Sequence, residues 1–321
     1  MKHWALASGA ALAVSAVSLS AALAVPAQAA PAQAAPVQAA PAQAAPSRTA
    51  PAPLRGKGIY LGYGSGVRLT AESGRTLWTD RSRSGQFAVS PDGGKVAWID
   101  ARGRVHVSAL TGTGRSDKVI ATGAAYVGPC MTPAWSPDSK RVAFALAGDG
   151  TRTTVAAAGA GGGGLRRLGT TSGPCHLTWS ADGRTLAGYA GTTEGVHLLD
   201  TASRTSRRVP GVKLVNHVAS LSPDGRRVVV NTLSPRDDAG DGSWPAAFTP
   251  SVYDTRTGKK IAIPVAGRLL DARYLKDGRL VVRVAGRSAN TLVVLGPAGE
   301  RLQTLAEKPR NRRLGLLQIT G

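Results

Sequence analysis

The chain is short of several residue types that common folds and catalysts depend on. Of its 321 residues only two are Cys, two Met and three Phe, and aromatics reach 5%. Two cysteines exclude a disulfide-dense mini-protein, and the 42% hydrophobic content excludes a wholly disordered chain. Carboxylates are scarce as well, with 19 Asp+Glu against 40 Lys+Arg. Beyond residue 25 there is no apolar run of the roughly 20 residues that a membrane-spanning helix needs. No serine sits in a nucleophile elbow, because Gly64-Ser65-Gly66 lacks the earlier glycine. Gly159–Gly164 formally contains G-x-G-x-x-G, but no helix and no Gly-Lys-Ser/Thr follows, so it reads as a hairpin tip.

What is present begins with an export signal. Lys2 supplies a positive start, Trp4–Val25 is a stretch of small apolar residues and Leu, and Ala27-Gln28-Ala29 has the small-x-small pattern of a signal-peptidase site. Residues 1–29 therefore read as a cleaved signal peptide and the protein as secreted, extracellular or associated with the cell envelope, with no membrane span after cleavage. From Pro26 the unit Pro-Ala-Gln-Ala-Ala recurs at 31 and 41, with Pro-Val-Gln-Ala-Ala at 36. A proline every fifth residue removes amide donors and holds its predecessor extended, so residues 30–57 read as a Pro/Ala/Gln-rich linker. The first 55 residues hold three basic residues and no acidic one. The other 266 therefore carry 37 Lys+Arg against 19 Asp+Glu, a formal +18 whose field attracts polyanions.

The remaining sequence is repetitive. Five similar segments are Phe87–Trp98, Pro133–Phe144, Leu177–Gly188, Ala219–Val230 and Ala272–Val282, and they align on Asp92, Asp138, Asp182, Asp224 and Asp277. Each reads as strand, tight turn, strand. In the Ser-Pro-Asp-Gly core Pro presets φ, the carboxylate bonds nearby amides, and Gly accepts positive φ. Two shorter strands follow, such as Val196–Asp200 and Ser206–Val209, giving four strands per unit with no helical periodicity between them. At the ends, Gly58–Gly62, Val67–Thr70 and Arg75–Trp78 are three strands lacking a first, and Leu314–Ile319 is a lone strand. Joined, they complete a sixth unit. The expected fold is all-β: a six-bladed β-propeller over residues 58–321, closed by pairing the C-terminal strand with the N-terminal blade.

These repeats resemble the TolB-like, WD-repeat-like six-bladed propellers, whose unit has the form x-W-S-P-D-G-basic-basic-apolar-Ala-apolar. The resemblance covers about residues 58–319 and is specific for fold. TolB carries an α/β domain ahead of its propeller, where this chain has the linker. The resemblance therefore implies a binding module without implying TolB's partners.

Candidate site residues follow from the blade order. Cys130 and Cys175 each follow Gly-Pro, open the inner strands of adjacent blades, and form the expected disulfide. Tyr126, His176, Asn216 and His217 fall in the loops that converge on the central channel, and are the candidate ligand contacts at its mouth. The five repeat aspartates recur in every unit and are assigned to their turns, not to catalysis. Asp237, Asp238 and Asp241 stand near glycines in an insertion of the fourth repeat, but Ala239 occupies a position where a calcium loop needs a ligand. Lys308, Arg310, Arg312 and Arg313 are the densest basic cluster. The starts of the inner strands, Ser84, Cys130, Pro174, Asn216 and Leu269, supply no ring of acids and histidines. The expectation is thus a secreted, monomeric, non-catalytic binding or protein-interaction module, with no cofactor and no metal, whose partner is a protein or an envelope ligand. The alternatives are a metal-assisted channel enzyme of lactonase or lyase type, and a polyanion or cell-wall adhesion protein.

Overall fold

A computed structural model describes residues 52–54, 57–80, 86–110, 117–126, 128–148, 152–237, 242 and 244–320. The expected signal peptide and nearly all of the expected linker lie outside these residues. The described chain contains 24 strands and no α-helix, and the strands form six four-stranded antiparallel sheets. In chain order, β1 (Lys57–Tyr63), β2 (Val67–Ala71) and β3 (Thr76–Asp80) open blade 1. Blade 2 is β4 (Phe87–Val89), β5 (Lys95–Ile99), β6 (Val105–Ala109) and β7 (Lys118–Ala121). Blade 3 is β8 (Ala134–Trp135), β9 (Arg141–Ala145), β10 (Thr153–Gly159) and β11 (Arg166–Thr171). Blade 4 is β12 (Cys175–Trp179), β13 (Thr185–Tyr189), β14 (Val196–Asp200) and β15 (Ser206–Arg208). Blade 5 is β16 (Val215–Leu221), β17 (Arg227–Thr232), β18 (Pro250–Asp254) and β19 (Lys260–Ile261). Blade 6 is β20 (Leu269–Tyr274), β21 (Leu280–Val284), β22 (Thr291–Leu295) and β23 (Arg301–Ala306). The last strand, β24 (Gly315–Thr320), returns to blade 1 as its inner strand and pairs antiparallel with β1.

The repeated turn explains why the blades recur. Ser136, Ser180 and Ser222 each donate from Oγ to the Oδ1 of the aspartate two residues on, at 2.6, 2.6 and 2.7 Å. The same Oδ1 accepts the amide two residues further, from Lys140, Arg184 and Arg226. One carboxylate thereby fixes both sides of the reversal, and these bonds hold Asp138 and its equivalent Asp224 below the ordinary carboxylate pKa; burial opposes the effect, most strongly at Asp224. Blade 3 has Ser139 where the other turns carry Gly, at φ +58. Its Oγ accepts the Asp92 amide at 3.1 Å, tying the turn of blade 2 to that of blade 3.

Between blades the sheets pack face to face. Leu61, Leu69, Trp78, Phe87, Val96 and Trp98 fill the space between blades 1 and 2, with the Trp78 and Trp98 rings 5.5 Å apart. Cys130 and Cys175 are disulfide-bonded, with Cα atoms 4.8 Å apart, and join the approach to blade 3 to the inner strand of blade 4. Closing a loop of this length contributes about 4 kcal/mol by chain-entropy arithmetic.

The junction of the last blade with the first has a different chemistry. Arg283 on β21 and Glu307 just after β23 are both buried, with side chains 1% exposed. Arg283 Nε and Nη2 donate to Glu307 Oε2 at 3.0 and 2.9 Å, and Tyr60 Oη of β1 donates to Oε1 at 3.0 Å. The remaining guanidinium donors reach the Asn311 and Leu314 carbonyls, at the approach to β24. Burial and then the Glu307 carboxylate push the Tyr60 hydroxyl pKa up. Outside this network, Leu54 is buried at the same junction, and its backbone exchanges two hydrogen bonds with the Gln303 side chain.

Replacing one member of this pair leaves the other charge buried alone. We expect Arg283→Met to lower unfolding free energy by about 3–5 kcal/mol in urea titrations, and Tyr60→Phe to cost only about 1 kcal/mol. Equal, small losses for both substitutions would show that the pair does not hold the junction.

Candidate functional site

The channel differs at its two ends. The 53-residue spacing between Asp224 and Asp277 arises from the long connection between β17 and β18, the second and third strands of blade 5. This connection places Trp244 across the channel, in contact with four blades. The Trp244 carbonyl accepts from Tyr63 Oη of blade 1 at 2.6 Å. Its ring lies 5.4 Å from His176 of blade 4 and 4.7 Å from His217 of blade 5. The Arg273 guanidinium of blade 6 stands 5.3 Å from the indole centroid, a cation–π contact. Trp244 is itself buried. Of the three acids in this connection, Asp237 accepts the Ser234 amide at 2.6 Å, and Asp238 and Asp241 lie outside the described residues.

The four residues proposed for the channel mouth are placed unequally. His176 and His217 are brought together beneath Trp244, fully buried, with Nδ1 atoms 2.7 Å apart. That distance requires one Nδ1 to carry the proton and the other a lone pair, so the pair holds at most one charge. Tyr189 and Phe248 pack edge-on against the two rings. Asn216 is half-buried and accepts from Asn231 at 2.8 Å. Tyr126 is exposed on the connection leading to blade 3. The His176 amide donates to the Cys130 carbonyl at 2.7 Å, so the disulfide and the histidine pair share one anchor. Of the inner-strand starts, Ser84 lies outside the described residues. Among the described residues no three His, Cys, Asp or Glu side chains are grouped to hold a metal.

On the other side of Trp244 the channel opens as a cavity of about 420 Å³, framed by the turn residues Pro91, Pro137, Ala181 and Asp277. Its walls include one residue from the same place in each repeat, immediately before the turn: Val89, Trp135, Trp179, Leu221 and Tyr274. Sequence reasoning missed these as a site, although the signal lay in the repeat itself: aromatics fill three of the five places in that column. The cations Arg273, Lys276 and Arg279 also line the cavity. Arg273 Nε is bound to Asp271 at 3.0 Å and Arg279 Nε to Asp277 at 2.7 Å. Asp271 is buried, which pushes its pKa up, while the Arg273 charge pulls it back.

Burial pushes the His176 pKa down to about 3, and burial together with the His176 and Arg273 charges holds His217 well below the usual histidine range. The unfolded chain takes up a proton on each histidine below about pH 6.5, and the native protein does not. Their stabilisation is therefore complete above that pH and is lost as pH falls toward the folded values. Between pH 6.5 and 5 the two together should cost about 3 kcal/mol, and His217→Leu should halve that slope. Denaturant titrations across this window check it, and a flat profile for the wild type would contradict the burial of a neutral pair.

No family model matches the chain, and no curated protein matches it. Among solved structures it is similar to TolB from Acinetobacter baumannii, at 16% identity and a TM-score of 0.52 over 82% of this chain and 66% of that one. It is also similar to a TolB from Agrobacterium tumefaciens, at 16% identity and a TM-score of 0.49 over 81% of this chain and 98% of that one. The chain spans just under two thirds of the Acinetobacter protein. The six sheets and the strand exchange at their junction, together with this likeness, place the fold: the chain is a six-bladed β-propeller closed by its C-terminal strand, with a fold similar to that of TolB.

Proposed function

We propose that the protein is an exported, non-catalytic interaction module that takes part of a partner protein or envelope ligand into the cavity at the open end of its channel. The cavity itself carries this reading. It is concave and closed behind by Trp244, and it is lined by rings and prolines with a few cations among them, which suits burial of an apolar segment beside an anionic group. The acid of its lining favours binding over chemistry. Asp277 is engaged by Arg279 two residues along the chain, so it is not a free base beside a nucleophile. Export is supported by the N-terminal signal and by the disulfide, which persists in oxidising compartments.

The test uses the full chain recovered from culture medium, where the mature N-terminus is expected at Ala30. The wild type and a cavity-filling Thr178→Trp variant are used to capture partners from envelope fractions. A specific partner should bind the wild type at least ten-fold more tightly than Thr178→Trp or Trp179→Ala, with the thermal midpoint of each variant within a few degrees of the wild type. Undiminished capture by the filled cavity would overturn the reading. So would hydrolase or lyase turnover by the purified wild type that chelation abolishes.

A further inference from the structure

The sealed end of the propeller carries a concentrated basic surface. Lys308, Arg310, Arg312 and Arg313 project from the connector between β23 and β24, and all four are exposed. The fold adds Arg268 and Arg287, which are distant in sequence. Arg312 Nε donates to the Gly286 carbonyl at 3.0 Å, next to Arg287, and the neighbouring Ala285 amide donates to the Arg268 carbonyl. Among the described residues no carboxylate forms an ion pair with any of the six. Glu307 is buried and already matched by Arg283, and the half-buried Glu72, whose carbonyl accepts from Asn311, is the nearby acid.

The connector beneath these cations is tightly held. Pro309–Asn311 form a 3-10 turn, Asn311 is fully buried, and its carbonyl and that of Leu314 accept from Arg283. Asn290 donates to the Arg312 carbonyl, and Arg310 reaches the Ser73 carbonyl. The backbone that carries the charges therefore loses little freedom on binding, so the charges are preorganised.

The geometry points to an anchoring site for a linear polyanion, a flexible chain bearing phosphate at each repeat, on the connector face opposite the open cavity. Arginine forks suit phosphate oxygens, and counterion release makes such contacts additive along a chain. No aromatic belongs to the cluster to stack bases, and no large apolar residue in it is exposed to enter a bilayer, so a polymer read by charge is the occupant. This inference is independent of the cavity, and a protein could fail either test alone.

The experiment measures binding of long-chain inorganic polyphosphate to the full secreted chain at several salt concentrations. One variant carries Arg268→Gln, Arg287→Gln, Lys308→Gln and Arg313→Gln, which spares the arginines bonded to backbone. A control with the same net charge carries Lys140→Gln, Arg166→Gln, Arg167→Gln and Lys259→Gln on blades 3 and 5. The connector variant should bind at least ten-fold more weakly, with the log–log salt slope reduced by about 3, while the control stays within about two-fold of the wild type. Equal losses in both variants would reduce the effect to overall charge and overturn the site. Connector-dependent binding that is tighter to single-stranded DNA or to anionic vesicles than to polyphosphate would overturn the assigned occupant.

Discussion

A ring of sheets becomes a closed structure only where its first and last blades meet, and here that junction passes through one buried charge pair. Arg283 and Glu307 are almost without solvent, so each would be costly alone. Their cost is offset because every polar atom is matched: two guanidinium nitrogens on one carboxylate oxygen, a tyrosine hydroxyl on the other, and two backbone carbonyls on the remaining donors. An apolar contact at the same place would tolerate sliding of β24 against β1. A guanidinium that must meet the Leu314 carbonyl does not, because a one-residue slip would turn every side chain of the strand to its other face. What the pair supplies to the ring is register, and the apolar packing of Leu54, Tyr60, Leu292, Val294 and Leu316 around it supplies the bulk of the burial.

The blades could be read from sequence because their turns repeat the same local chemistry, and local chemistry is what a sequence displays. Closure was readable for a similar reason, since three orphan strands at one end and one at the other complement each other. The charge pair was not read, though its trace was there. At the fourth position of the second strand the repeats carry Trp98, Phe144, Gly188 and Val230, and then Arg283. A cation in a column of uncharged residues is an anomaly that marks a buried partner, but the partner comes from Glu307, outside any repeat.

The channel was readable only in part. His176 and His217 occupy matching places in successive units, so their proximity follows from the blade order. The cover above them does not. The connection that carries Trp244 has no periodicity, and its course is set by contacts with four blades that no single stretch of sequence contains. Sequence reasoning therefore looked for contacts at the end of the channel that the structure closes. The open end is lined instead by the residue preceding each turn, a place that a repeat-based reading treats as structural.

Closure and cavity are also mechanically linked. Gly315, the first residue of β24, lies so near the plug that a Cβ there would come within 3.0 Å of the Ala246 Cα. The strand that closes the ring thus packs directly against the loop that closes the channel, two residues from Trp244. Anything that displaces β24 removes support from the plug, and the cavity loses its floor as the ring loses its seam. The buried pair that fixes β24 is thereby linked, through Gly315 and Ala246, to the floor of the cavity, although no atom of Arg283 or Glu307 lines it.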